Sequence, residues 1–367
     1  MLRARGVEVL DYALDNAEIK SKNLITIGLR SVWNTHEAAR VQDLIRSTKP
    51  DLMKVDNFFP LLSPSIFHAA KAMGVPTVLS VRNYRLVCPS ANLFRDGHIC
   101  TTCVGSKVAL AAIQHRCYRQ SYLQSTAVVA SNAYAHLRGV WTDSVDRYIA
   151  VSSFVKQQLV AGGFPELKIV VKPNFISDTG PGDGSGGYGL FVGRLTEEKG
   201  VRSLLNAWPH IPQPVPLKII GDGPLESVVR QAAEADPRIE YVGRKSLTEV
   251  CDYLEKAAFL VFPSEWYEPF GRTIVEAYSK GTPVIAALTK PMNAMVENGM
   301  TGLLYRPGDS KDLASAVSIL MTDSERLTLM RVHARSRYLA AYTEDQNYHQ
   351  LMEIFNQCIN SEHSQLA

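Results

Sequence analysis

The chain has 367 residues, of which 46% are hydrophobic and 20% charged; at about 100–200 residues per domain this predicts two domains, each long enough to bury a core. Lys plus Arg number 39 against 36 Asp plus Glu, a formal net charge of +3, too weak for a protein that wraps nucleic acid and unsupported by any Lys/Arg-dense block. No apolar run approaches the ~18 residues that span a bilayer.

The start, Met1-Leu2-Arg3-Ala4-Arg5-Gly6, is basic but leads into Glu8, Asp11 and Asp15 instead of the apolar stretch of a secretory leader. Six cysteines are too few for a disulfide scaffold, which points to a reducing, cytoplasmic setting. Leu2–Gly6 reads as the last turn of a helix with a glycine stop, followed by a strand over Val7–Tyr12. A helix ending that close to the initiator has no room to exist. Further strands are expected at Leu52–Val55, Thr77–Ser80, Arg147–Ala150 and Ile169–Lys172, alternating with helices at Ala38–Ser47, Ser63–Met73 and Ser153–Ala161.

Six of the thirteen residues 177–189 are glycine, so this stretch reads as a flexible linker that cannot pack. Beyond it come strands at Leu190–Val192, Leu217–Ile220, Ile239–Val242, Phe259–Phe262, Pro283–Ala286 and Gly302–Tyr305. Helices are expected at Gly200–Trp208, Leu225–Ala235, Leu247–Lys256, Thr273–Ser279, Ser310–Met321 and Asp345–Ile359. The pattern predicts an α/β protein of two doubly wound parallel sheets facing a cleft, with ligands at the C-terminal ends of the strands. The expected divisions are a first domain over 1–176, the linker 177–189 and a second domain over 190–343. A C-terminal helix, 344–367, is expected to cross back toward the first domain.

Chemistry concentrates in the second half. The stretch Glu265–Ala277 follows a buried strand and opens a helix near Thr273, whose free N–H groups and positive dipole end suit a phosphate. Gly271 permits close approach to the backbone, and Glu268 and Glu276 can face one bound molecule from two sides as acceptors for sugar hydroxyls. The plainer reading makes Glu276 a helix-start stabiliser and Glu268 a solvated loop residue. Gly193 ends another buried strand, and Arg194 and Lys199 follow it, able to clamp a diphosphate or simply to pair Glu197 and Glu198. Gly221-Asp222-Gly223-Pro224 begins a dinucleotide-type pattern, but Glu226 stands where the third glycine belongs.

Taken together, these stretches resemble the retaining glycosyltransferases of family 4, built on the GT-B fold of two Rossmann-like domains. The resemblance rests on the run Gly193-Arg194-Leu195-Thr196-Glu197-Glu198-Lys199-Gly200, the Gly221–Pro224 turn and the spacing of Glu268 and Glu276. It continues through Gly281–Ala286, Glu297–Gly302 and Pro307–Asp309. It implies a UDP- or GDP-sugar donor and no catalytic cofactor. By resemblance, Arg194 and Lys199 hold the diphosphate and Glu268 the sugar hydroxyls, these three being the catalytic residues. Phe270, Gly271, Arg272 and Thr273 meet the sugar and phosphate through backbone N–H groups, and Glu276 holds the ribose. Gly193 and Gly221 belong to the same donor site, and the Val242-Gly243-Arg244 loop borders the base. The reaction implied is front-face substitution in which the leaving phosphate helps to deprotonate the acceptor, with the diphosphate's charge met by the cations.

The first half resembles the acceptor-side domain of bacterial members through Asn57–Ser65, Arg82–Pro89 and Val171–Phe175. Similar proteins often carry His-Asn where Asp56-Asn57 and Arg82-Asn83 stand. The resemblance further implies that a first strand and its glycine loop, roughly 25 residues with most of a helix, precede the run at Leu2–Gly6. Four cysteines cluster at Cys88, Cys100, Cys103 and Cys117; the Cys-x-x-Cys spacing suits a structural zinc, and ordinary reduced thiols are the alternative.

The function expected is cytoplasmic transfer of a hexosyl group to a bacterial cell-envelope glycan or a lipid-linked acceptor, with no nucleic-acid partner. Arg116, Tyr118, Arg119 and Tyr122 are candidates for contact with the inner membrane, or form a plain solvated helix face. Two alternatives are a nucleotide-sugar 2-epimerase on the same fold and a truncated, inactive donor-binding protein.

Overall fold

The apolar runs of the first half form one parallel sheet in the computed structural model, which describes residues 1–15 and 24–366. In chain order its elements are α1 (Leu24–Val32), α2 (Thr35–Thr48), β1 (Met53–Val55), α3 (Ser65–Ala72) and β2 (Thr77–Val81). A small hairpin of β3 (Phe94–Arg95) and β4 (His98–Ile99) leads to α4 (Leu110–Gln114) and α5 (Tyr122–Leu137). Then follow β5 (Arg147–Ala150), α6 (Ser153–Ala161) and β6 (Ile169–Val171). The strands pair in the order β1-β2-β5-β6, all parallel. All five residues of β2 are buried, as a parallel strand covered on both faces requires. Side-chain caps start the helices locally: Asn34 accepts from the Glu37 N–H at α2, and Ser152 from the Val155 N–H at α6.

The second sheet is larger. Its elements are β7 (Gly189–Val192), α7 (Val201–Ala207), β8 (Leu217–Ile220), α8 (Glu226–Ala235), β9 (Ile239–Gly243) and α9 (Leu247–Lys256). They continue with β10 (Phe259–Phe262), α10 (Arg272–Ser279), β11 (Val284–Ala287), β12 (Gly302–Tyr305), α11 (Ser310–Thr322) and α12 (Ser324–Ala341). The order is β12-β11-β10-β7-β8-β9, all parallel. Alternate side chains leave opposite faces: Phe191, Ile219, Phe259 and Val261 enter one core cluster, and Leu190, Ile220, Leu260 and Phe262 the other. The order reverses between β7 and β10, the topological switch point where doubly wound sheets take their ligands.

Two compact units result: Met1–Arg95, Cys100–Lys172 and Tyr348–Ala367 form one, and Asp96–Ile99 with Pro173–Asn347 form the other. The closing helix α13 (Glu344–Leu366) is therefore shared. In the first unit it places Leu351, Ile354, Phe355 and Cys358, a single stripe at i, i+3, i+4 and i+7, on Val78 and Ile149 of the sheet.

Three sequence expectations change. Val7–Tyr12 is not a strand: a short 3-10 turn at Arg3–Arg5 closes on Gly6, and residues 7–15 have no regular structure. A strand needs a ladder, and this segment is held by side chains instead, with Arg3 donating to the Val9 carbonyl at 2.9 Å and to Asp11 at 2.7 Å. The glycine-rich stretch packs as well. Gly182, Gly184 and Gly186 donate their N–H groups to the carbonyls of Lys280, Glu255 and Lys256 at 2.9, 3.0 and 2.9 Å. A Cβ on Gly182 would stand 2.2 Å from the Glu255 carbonyl oxygen, so glycine serves here to bring backbone against backbone. The helices α1, α4, α5 and α12 are additional to the expected set. Among the described residues, no helix is long and apolar enough to cross a membrane.

Candidate functional site

Four loops leave the C-terminal ends of β7, β8, β9 and β10, and backbone hydrogen bonds tie them together. Gly193 N–H donates to Ile220 O at 3.0 Å, Leu195 N–H to Asp222 O at 2.8 Å and Gly221 N–H to Gly243 O at 3.0 Å. Glu265 N–H closes the set on Glu198 O at 3.0 Å. The crossings demand glycine. Gly221 has φ +146° and a Cβ there would lie 1.8 Å from Gly193 O. Gly200, at φ +70°, would place one 1.9 Å from Pro263 O. A side chain at either position would part the loops.

This stitching brings Lys199, from the loop after β7, onto Glu268, from the loop after β10, across the switch point. Both side chains are mostly buried, 20% and 13% exposed, and they form an ion pair. Trp266 Nε1–H donates to the same carboxylate oxygen at 3.0 Å and Ser264 Oγ at 3.4 Å. Lys199 Nζ also stands 5.4 Å from the centre of the Trp266 ring, a cation–π contact. The carboxylate is thus held in one orientation by three donors on Oε2, and among the described residues no donor reaches Oε1. Trp266 and Ser264 were not singled out from sequence; their closeness to Glu268 in the chain was the available signal.

The helix α10 begins beside this pair. Gly271 occupies its N-cap and offers no side-chain acceptor, so the positive dipole end has no side-chain cap; the Arg272 N–H donates to Phe270 O and the Ile274 N–H to Gly271 O, each at 3.0 Å. Gly271 N–H itself donates to the Met295 sulfur at 3.3 Å, and Phe270 rests edge-on against Tyr342 with ring centres 6.3 Å apart. One turn on, Glu276 is only 5% exposed and accepts from Arg272 Nε at 2.9 Å. Burial pushes its carboxyl above the usual range, opposed by the Arg272 guanidinium. Thr273 is half-buried and Arg194 exposed; Arg194 makes no ion pair among the described residues. Val242 and Gly243 are the last residues of β9, within the strand and not in a loop. Arg244 follows, 80% exposed, 3.4 Å from Asp222. An ammonium beside the start of a helix can attract an anion, and a carboxylate held in one orientation can accept hydroxyl groups.

Residues 187–323 match the sequence profile of glycosyl transferases group 1. The chain carries a glycosyl transferases group 1 domain. Every donor-site candidate from Gly193 to Glu276 falls inside the match. An uncharacterized glycosyltransferase of Methanocaldococcus jannaschii is 32% identical over 186 residues, 50% of this chain and 52% of that protein. An uncharacterized 42.6 kDa protein in the cps region of Klebsiella pneumoniae is 24% identical over 323 residues, covering 86% of this chain and 77% of its own. The chain therefore spans about half the length of the first of these relatives. Anabaena HepE, crystallised in complex with UDP, superposes with a TM-score of 0.65 at 19% identity over 87% of this chain and 82% of that one. The likeness establishes a GT-B type fold of two Rossmann-like domains.

The cysteine cluster lies outside the glycosyl transferases group 1 domain. Cys88, Cys100, Cys103 and Cys117 do line one cavity, but of only about 20 Å³. Among the described residues, no group of three or more His, Cys, Asp or Glu is arranged to hold a metal. The expected zinc site is thus unsupported. Each thiol has another partner: Cys88 Sγ lies 3.1 Å from Ser90 Oγ, Cys100 Sγ 3.4 Å from Thr102 Oγ1, Cys103 accepts from the Ala112 N–H and Cys117 bonds Arg95. Burial pushes the Cys103 thiol up to about 11 and Cys117 in the same direction, which keeps both protonated.

Proposed function

We propose that this protein is a retaining hexosyltransferase. It takes a nucleotide-diphospho-sugar and moves the sugar to a hydroxyl of a cell-envelope glycan or its lipid-linked precursor. The observation that carries this reading is the convergence of Lys199, Glu268 and the uncapped start of α10 at the switch point. The UDP bound by Anabaena HepE favours uridine over guanosine as the base. Under this reading the bond from the anomeric carbon to the phosphate oxygen breaks, and the diphosphate leaves with the electron pair. Lys199, Arg194 and the α10 N-terminus meet the charge that develops there. The acceptor oxygen attacks from the departing face, and its proton passes to a diphosphate oxygen. Glu268 exchanges Lys199 for sugar hydroxyls, and Glu276 exchanges Arg272 for ribose hydroxyls. The first unit supplies the acceptor side. Exposed Tyr122 and Leu123, with Arg116 stacked 5.5 Å from the Tyr122 ring centre, support a lipid-linked acceptor at a membrane surface.

The test is calorimetric titration with UDP and GDP, followed by mass spectrometry of products from a panel of nucleotide sugars with and without candidate acceptors. Binding of UDP and acceptor-dependent transfer with the anomeric configuration kept are expected. An epimerised nucleotide sugar formed without acceptor, or no nucleotide binding at all, overturns the reading.

A further inference from the structure

Trp266 touches both members of the ion pair that spans the switch point. Its indole Nε1–H donates to Glu268 Oε2 at 3.0 Å, and its ring centre lies 5.4 Å from Lys199 Nζ. The backbone ties the same residues together. Glu268 N–H donates to Trp266 O at 3.0 Å, and the neighbouring Glu265 N–H to Glu198 O at 3.0 Å.

Under the proposed reaction Lys199 leaves Glu268 for the diphosphate, and the carboxylate, 13% exposed, is left without its cation. A mostly buried charge that loses its partner is costly unless other donors hold it. Two donors remain, both on Oε2. Ser264 Oγ stands at 3.4 Å, beyond the usual length of a hydrogen bond between oxygens. The Trp266 bond is shorter, and a bond to an ionised oxygen is roughly twice as strong as a neutral one. An indole also turns about few side-chain bonds, so holding it in place sacrifices little freedom.

We propose that Trp266 is the positioning residue of the donor site. It keeps Glu268 aimed through Oε2 once Lys199 has gone to the diphosphate, so that the sugar hydroxyls are received on Oε1. This role rests on the glycosyltransferase reading; the bond from the indole to the carboxylate does not.

The test uses the full-length protein with nitrogen-15 in its four tryptophans, the Trp266 indole signal being identified by its loss in Trp266→Phe. Lys199→Met removes the cation without any nucleotide. In that variant the indole proton is expected to stay downfield and slow to exchange, as in the wild type. Saturating UDP on the wild type should leave it so as well. A signal that moves to the position of a solvent-exposed indole in either case shows that Trp266 lets go together with Lys199, and overturns the proposal. Calorimetry supplies the second arm. Trp266→Phe keeps a ring beside Lys199 and loses the N–H, so it should weaken UDP-glucose about tenfold and UDP less than about twofold. Equal losses for the two, or none, overturn the positioning role. Failure of the wild type to bind UDP, with the indole bond intact in Lys199→Met, removes the donor reading and the positioning role with it, while the bond itself stands.

Discussion

The strand edges of the two sheets arrange their charged side chains differently. In the second unit, charge is balanced pair by pair, Lys199 with Glu268 and Arg272 with Glu276, beside a helix start that has no side-chain cap. In the first unit, Lys54 and Arg82 both reach the one carboxylate of Asp56. A balanced pair opens by exchanging one partner for a ligand and stays folded when empty. Burial first, and then the neighbouring Lys54 and Arg82, lower the Lys172 ammonium.

The contrast is sharpest at Glu268. Glu268→Ala should lower transfer about a thousandfold and strand Lys199 without its carboxylate, while the double variant Lys199→Met/Glu268→Leu should regain thermal stability but no activity. Equal stability of single and double variants in calorimetry would show that the two residues are not balanced against each other. Next in size is Gly221→Ala. A positive φ and a Cβ 1.8 Å from Gly193 O should cost about 3 kcal/mol, read in urea denaturation; a change within ±0.5 kcal/mol would mean that the loops can part. Lys199→Ala should weaken UDP about tenfold, and an unchanged dissociation constant would move the diphosphate elsewhere.

The smallest effect belongs to the first unit. Lys172 gives up its proton near 8 in the native state but only near 10.4 when unfolded. Between those values the unfolded chain holds the extra proton, so native stability rises with pH. Lys172→Gln lacks this slope. The urea midpoint of the wild type, measured from pH 7.5 to 10 and compared with the variant's, should therefore gain steadily as pH rises. Parallel curves would show that Lys172 is an ordinary solvated lysine.

The second sheet was legible almost residue by residue. Phe259–Phe262 and Leu217–Ile220 are short apolar runs bounded by turn formers, and Ser246 with Glu249 forms a capping box that announces α9. The helix α12 was missed because Arg326, Arg331, Arg335 and Arg337 interrupt its apolar stripe. The helix α5 was missed because its buried face includes small polar residues such as Ser131, which bonds the Ser31 carbonyl at 2.7 Å. Lys199 and Glu268 were visible as motif residues. Their direct pairing was not, since it joins positions 69 apart through a strand order that no local pattern encodes. The same is true of Asp56 and Arg82, which meet only because β1 and β2 are neighbours in the sheet.

The stripe of α13 has a consequence for biosynthesis. Val78 and Ile149 of the first sheet are covered by Leu351, Ile354, Phe355 and Cys358, which leave the ribosome after the whole second unit. At ordinary elongation rates the interval is on the order of 10–40 s. The unit made first is thus the unit completed last, its sheet face open to chaperones or to aggregation while its neighbour is synthesised. A stalled or clipped chain ending before Leu351 should present that face permanently, and the first unit's folding should track the last turns of the helix more than its own sequence.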